Sequence, residues 1–182
     1  MKFIYKQDDI PPEGVPQEIE MFDYDKYSKN KHFVNLYTVA KIKYQSALNR
    51  SEVFSKLFDV NKMAVYWALC DLFQAHHGCK TTHNMRFYYN PLNSLLEPIH
   101  FDGDPGMTSG MVGDWKNNFL NSGKDYDFQR KYIHNLEKFT SYKFIDNIKL
   151  KYDPIIIDIE NILKKEWPEY EKFSWEGLFQ SS

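Results

Sequence analysis

The stretch HHGCKTTHNMRFYYNPLNSLLEPIHFDGDPG, His76 to Gly106, decides how this chain is read. It opens on His76, His77, Cys79 and His83 and passes to Asn84. Two short apolar runs follow, Met85 to Tyr89 and Leu95 to Ile99. Asn90-Pro91-Leu92-Asn93-Ser94 separates them and carries the residues of a turn. The pattern predicts a β-hairpin. Just past it, Phe101-Asp102-Gly103-Asp104-Pro105-Gly106 is acidic, glycine-rich and unsuited to helix or strand. The hairpin thus holds two polar loops at a fixed separation, with Asn84 entering and Asp102 leaving. An amide oxygen and a carboxylate so placed can both face one divalent cation. Mg²⁺ takes hard oxygen ligands and commonly uses one or two protein groups plus phosphates. Asp102 is the first candidate among the acids here and Asp104 the second, although turn chemistry alone also accounts for Asp-Gly. If the hairpin register is tight, Arg86 and Glu97 face each other as a cross-strand ion pair.

Moving upstream, Asp59 is placed to cap an apolar helix from Val60 to about Gln74. Val60, Met63, Ala64, Trp67, Ala68, Asp71 and Leu72 line one side, and Val65, Leu69 and Phe73 broaden the stripe, so the helix is expected at the centre of its domain. Asp71 is costly among these residues unless paired. It reads as a cap or buried hydrogen-bonding group, or as support for the loop that follows. Ser51 to Phe58 suggests a helical turn. Before it, Phe33, Leu36, Tyr37, Ala40, Tyr44, Ala47 and Leu48 recur at three- and four-residue steps, which predicts a helix over Lys31 to Arg50 capped by Asn30. Residues 1–30 read as an irregular arm broken by Pro11, Pro12, Gly14 and Pro16, with Phe3-Ile4-Tyr5 as a short edge strand.

Downstream, Met107 to Asp125 reads as loop. Asp127 is expected to cap a helix to about Phe139, with Phe128, Tyr132, Ile133 and Leu136 inward. Ser141 caps the next helix, which Pro154 is expected to interrupt before it resumes from Ile155 to about Lys165. Ser174 to Phe179 suggests a last helical turn anchored by Trp175 and Leu178.

Composition bounds the function classes. The 182 residues suffice for one domain with a core, and an aromatic share of 17% argues against disorder. A net charge of −2, with no basic stripe, gives no pull toward nucleic acid. The N-terminus lacks the pattern of a signal peptide, and the apolar runs are too short to span a bilayer. Cys70 and Cys79 make no disulfide framework; their pairing is possible in principle but not indicated, and free thiols fit a reducing compartment. His76, His77, Cys79 and His83 also read as a zinc site or as plain structural residues. Adjacent histidines seldom point to one ion, and the paired spacing of structural zinc sites is absent.

The ordered series Phe58-Asp59-Val60, Met63-Ala64, Ala68-Leu69-Cys70-Asp71-Leu72-Phe73, His77-Gly78, His83-Asn84-Met85-Arg86-Phe87-Tyr88-Tyr89-Asn90-Pro91 and Leu96-Glu97-Pro98-Ile99-His100-Phe101-Asp102 resembles the CotH-like kinases, named for a bacterial spore-coat protein. The resemblance is strongest from Ala40 to Asp104 and extends more loosely to the end. It implies an α+β, mostly α fold: a protein-kinase-like large lobe, a helical bundle with one short hairpin, over residues 31–182. It implies Mg²⁺ and ATP as cofactors, held by Asn84 and Asp102 with Asp104 beside them, and phosphoryl transfer to protein serine or threonine. His77 stands where the family's loop carries an acid near the acceptor hydroxyl, and Ala75 to His83 contains no aspartate or glutamate.

Phosphoryl transfer also needs a small lobe with a phosphate-covering loop and a lysine–glutamate pair. No Gly-x-Gly-x-x-Gly is present, and Lys41 and Lys43 fall on a predicted helix. The resemblance therefore implies a large-lobe piece, either a natural short reading frame or a cut-down gene. Two readings stand: a kinase-related domain, or a non-catalytic pseudokinase fragment acting as a binding or structural module. The implied partners are a protein substrate and, for the missing small lobe, another chain. Members of the family are often exported or surface-attached.

Overall fold

The computed structural model describes residues 2–4, 18–75, 84–101 and 122–175. They form a mostly helical α+β fold with one antiparallel hairpin, in two compact units, Met1–Asn135 and Leu136–Ser182.

In the first unit, β1 (Lys2–Ile4), β2 (Glu20–Met21), β3 (Arg86–Asn90) and β4 (Leu95–Ile99) make a four-stranded sheet in the order β2-β1-β3-β4. Strand β1 pairs antiparallel with both β2 and β3, so the expectation of an edge strand over Phe3-Ile4-Tyr5 is corrected: β1 is internal. The segment before the first long helix supplies two strands and the short α1 (Tyr24–Tyr27), and Tyr5 lies outside the described residues. The edge at β4 carries Pro98, whose missing N–H an edge strand tolerates. That edge is met by the junction between the third and fourth helices, where Asp59 N–H donates to the Leu96 carbonyl at 2.9 Å.

The helices follow local signals. Asn30 accepts from the His32 N–H at 2.9 Å and starts α2 (Lys31–Leu48), which buries Ala40, Tyr44 and Ala47. After a reversal at Arg50, which has φ 53°, comes α3 (Phe54–Leu57). Asp59 then accepts from the Asn61 and Lys62 N–H groups at 3.0 and 3.2 Å to start α4 (Val60–Leu72). That helix buries Met63, Ala64, Trp67 and Ala68 almost completely, whereas Val65 and Phe73 are exposed, so its apolar stripe is narrower than expected.

Six aromatic rings run through the core in series. Tyr44 meets Phe87 at 6.0 Å between centroids, Phe87 meets Phe58 at 5.5 Å, and Phe58 stacks on Phe54 at 4.6 Å. Phe54 meets Phe128 at 5.1 Å, and Phe128 meets Tyr132 at 6.3 Å. These spacings lie in the favourable range for offset and edge-to-face pairs, each worth about 0.5–1.5 kcal/mol beyond burial.

Phe128 and Tyr132 belong to α5 (Tyr126–Phe139). Its cap is Asp125, not Asp127. Asp125 Oδ1 accepts from the Asp127 and Phe128 N–H groups, both at 3.1 Å, and Oδ2 accepts from the Ser55 N–H of α3 at 2.8 Å. One buried carboxylate thus caps two helices. Asp127 sits in the first turn and pairs with Arg130 at 3.1 Å and Lys131 at 2.6 Å.

In the second unit, Ser141 caps α6 (Tyr142–Glu166), its Oγ accepting from the Phe144 N–H at 3.4 Å. The helix continues through Pro154, so the expected interruption there is corrected. Pro154 costs α6 one N–H, and the hydrogen bonds on either side carry the helix past it. The chain then returns along α6. Glu160 Oε1 accepts from the Phe173 N–H at 2.7 Å, and Asp153 Oδ1 accepts from Trp175 Nε1 at 2.7 Å.

Candidate functional site

The site begins where α4 ends. Ala75 N–H donates to the Cys70 carbonyl at 2.8 Å and Gln74 N–H to the Asp71 carbonyl at 3.3 Å, with Gln74 at φ 51°. This is the Schellman closure of a helix, here with glutamine in the left-handed position that glycine usually takes. It turns the chain sharply out of α4 into the histidine stretch. Residues His76, His77, Cys79 and His83 lie outside the described residues, as do Asp102 and Asp104. Of the candidate ligands, Asn84 is described.

Asn84 is buried at 8% exposure, directly before the buried Met85 and strand β3. The register pairs Arg86 with Ile99, Tyr88 with Glu97 and Asn90 with Leu95. The turn is closed by the Asn90 side chain, which accepts from the Leu92 N–H at 2.9 Å, and the Asn93 side chain, which accepts from the Leu95 N–H at 3.0 Å. Ser94, at φ 58°, completes it. The Arg86–Ile99 pair therefore marks the open end of the hairpin. Asn84 enters there, and His100 and Phe101 leave there.

Arg86 does not face Glu97. Its guanidinium lies over the Phe101 ring, 4.4 Å from the centroid, which ties the exit of β4 to the entry of β3. Glu97 instead meets Lys62 of α4 at 2.5 Å and accepts from Asn90 Nδ2 at 2.8 Å. Burial works to raise the Glu97 carboxyl. The hydrogen bonds from Lys62 and Asn90, with the Lys62 charge, outweigh it and hold the group below the usual glutamate range. Beside the same end, the Tyr66 ring meets the His100 ring edge-on at 6.1 Å. Burial pushes the Tyr66 phenol up, against the Arg86 charge, so it stays neutral.

Asp71, buried in the last turn of α4, accepts a hydrogen bond from the Tyr132 hydroxyl of α5. The sequence signal for this partner was partial: a buried carboxylate demands donors, and Tyr132 is the one hydroxyl among the inward residues predicted for that helix. The neighbouring Cys70 is half of a disulfide, and the sequence holds one other cysteine, Cys79. The expectation of free thiols is corrected.

Among the described residues, no group of three His, Cys, Asp or Glu side chains comes together as a metal cage, and no helix is long and apolar enough to cross a membrane. A surface cleft of about 280 Å³ opens between the end of α2 and the start of α5, and Asn84 does not line it. Comparisons of the chain with protein-family models, with curated proteins and with solved structures give no match.

Proposed function

We propose that this chain is a CotH-like kinase-related domain that binds Mg²⁺ and ATP, with Asn84 and Asp102 as its metal ligands, Asp104 next to them and His77 beside the acceptor hydroxyl of a protein serine or threonine. The observation that supports this reading is the β3–β4 register. By pairing Arg86 with Ile99, it brings the entry at Asn84 and the exit at Phe101, one residue before Asp102, to the same end of one hairpin. An amide oxygen and a carboxylate are hard donors suited to Mg²⁺, which takes its remaining ligands from phosphates and water. Bound Mg²⁺ and ATP supply the phosphoryl group and neutralise its charge. The chain's own part is to hold Asn84 in place, through its burial and the ring-stacked Arg86 that closes the hairpin mouth. The Cys70 disulfide fits an oxidising compartment, where exported members of the family act.

A second reading, a non-catalytic module, is favoured by the lysines near the N-terminus. Lys41 and Lys43 stand on α2, where Lys41 pairs with Glu18 at 2.5 Å and Lys43 donates to the Lys56 carbonyl at 3.2 Å. Neither is on a strand that would carry a phosphate-clamping lysine.

Thermal unfolding of the full chain with and without Mg·ATP separates the readings. Ligand at about 100 times its Kd stabilises the native state by about 2.7 kcal/mol, a midpoint shift of roughly 5–10 °C for a chain of this size. The expected result is such a shift in the wild type and its loss in Asn84→Ala and Asp102→Asn. A cooperative wild-type transition that Mg·ATP leaves unmoved refutes the nucleotide site and leaves the non-catalytic module.

A further inference from the structure

Helix α6 carries an apolar seam that the described residues of its own unit do not cover. Ile145, Ile148, Tyr152, Ile155, Ile159 and Ile162 follow one another in alternating steps of three and four residues. That spacing puts them in one stripe at the a and d positions of a heptad, the pattern by which helices pair side by side. Toward its C-terminal half the stripe is open: Tyr152 is 41% exposed, Ile155 and Ile159 50% each, and Ile162 61%. The return segment ending at Trp175 instead holds the neighbouring face, through Asp153 and Glu160. Pro154 lies toward the far side from the seam, so its missing N–H does not fall on it.

We propose that two copies of this chain associate through α6, packed antiparallel about a two-fold axis along this seam. Charge decides the direction. Antiparallel packing with each a residue against a d residue gives a continuous apolar register: Ile145 against Ile162 of the partner copy, Ile148 against Ile159, and Tyr152 against Ile155. Symmetry makes each layer twice. In that register the flanking g positions place Lys151 beside Asp158 of the other copy, again twice, and no like charges meet along the seam. In-register parallel packing would set Lys151 beside Ile156 and leave Asp158 without a basic partner across the interface. The apolar layers suit either direction, and the charges select the antiparallel arrangement of identical chains.

Sedimentation velocity or light-scattering chromatography on the full chain tests this, with circular dichroism to check helix content. The wild type is expected to dimerise with increasing concentration. Ile155→Glu with Ile159→Glu, at positions half-exposed in the single chain, is expected to give a folded monomer. Leu150→Glu with Ile157→Glu, on the opposite side of α6, is expected to leave the dimer intact. Lys151→Asp sets like charges against each other twice and is expected to weaken association about tenfold. Lys151→Asp with Asp158→Lys restores opposite charges only in the antiparallel register and is expected to recover the affinity. A wild type that stays monomeric at about 100 µM, a dimer indifferent to the seam substitutions, or a double charge swap that fails to rescue each overturns the proposal.

Discussion

Asp125 and Asp127 both stand at a helix start, and the sequence favours the wrong one. Each precedes an apolar residue at helical spacing, and each is an acceptable cap by residue type. The choice rests on a contact no local pattern contains. The second oxygen of Asp125 is taken by Ser55, so its position is set from outside α5 as well as within it. Asp127, left in the first turn, takes the ion pairs instead. The two residues should respond differently to truncation. Asp125→Ala removes the cap of two helices and leaves buried N–H groups unsatisfied, which is expected to lower the unfolding free energy by roughly 2–3 kcal/mol in urea titration. Asp127→Ala loses only largely exposed pairs and is expected to cost less than about 1 kcal/mol. Arg86 teaches the same lesson about the candidate site. The residues of the turn were legible in Asn90 to Ser94, but the register was not. Two asparagine side chains close a four-residue turn, and that sets Tyr88 opposite Glu97, leaving Arg86 to Phe101.

At the scale of elements, the strongest sequence signals were those written within one turn of chain. The caps Asn30, Asp59 and Ser141 fell where expected, as did the span of α2 and the existence of the hairpin. Signals that depend on neighbours were weaker. A short strand at the N-terminus carries no mark of being internal, and Pro154 marks a helix break only when the surrounding turns cannot hold without it. The join between α4 and the sheet is likewise tertiary: Lys62 reaches Glu97 across 35 positions of sequence. Glu97 titrates lower in the folded chain than its ordinary 4.5. A carboxyl depressed by folding adds stability above its unfolded range, and that contribution is lost as pH falls through the lower folded value. Urea midpoints are therefore expected to fall more between pH 6 and about pH 3 in the wild type than in Glu97→Gln. Lys62 is half-exposed, so solvent screening keeps the difference small, and about 1 M salt should shrink it further. Equal pH profiles for the two proteins would remove the pair from the account of how α4 is fixed to β4.

For the whole molecule, burial is distributed unevenly. In the first unit, α4 and the aromatic series hold Trp67, Tyr44, Phe54, Phe58, Phe87 and Phe128 at under 2% exposure. In α6 the single buried residue is Glu160. Local stability follows buried contacts, so amide hydrogen exchange is expected to be slowest in α4 and β3 and at least about tenfold faster in α6, measured by mass spectrometry at low protein concentration. Uniform protection across both units would show one cooperative block instead. The general fold class was legible because helix periodicity and turn chemistry are local. The two-unit division was not, because an amphipathic stripe shows that a helix wants a partner without saying which.

The double cap at Asp125 also sets an order of events during synthesis. Helix α3 is a single turn, too short to hold itself, and the partner of its Ser55 N–H lies 70 residues downstream. While a ribosome is still making the chain between them, α3 lacks that carboxylate and Phe54 lacks the Phe128 ring against which to settle. Helix α3 must therefore wait, with the Phe54 ring open on one side, until Asp125 and Phe128 have left the exit tunnel. Until then that aromatic surface is open to the contacts that chaperones suppress.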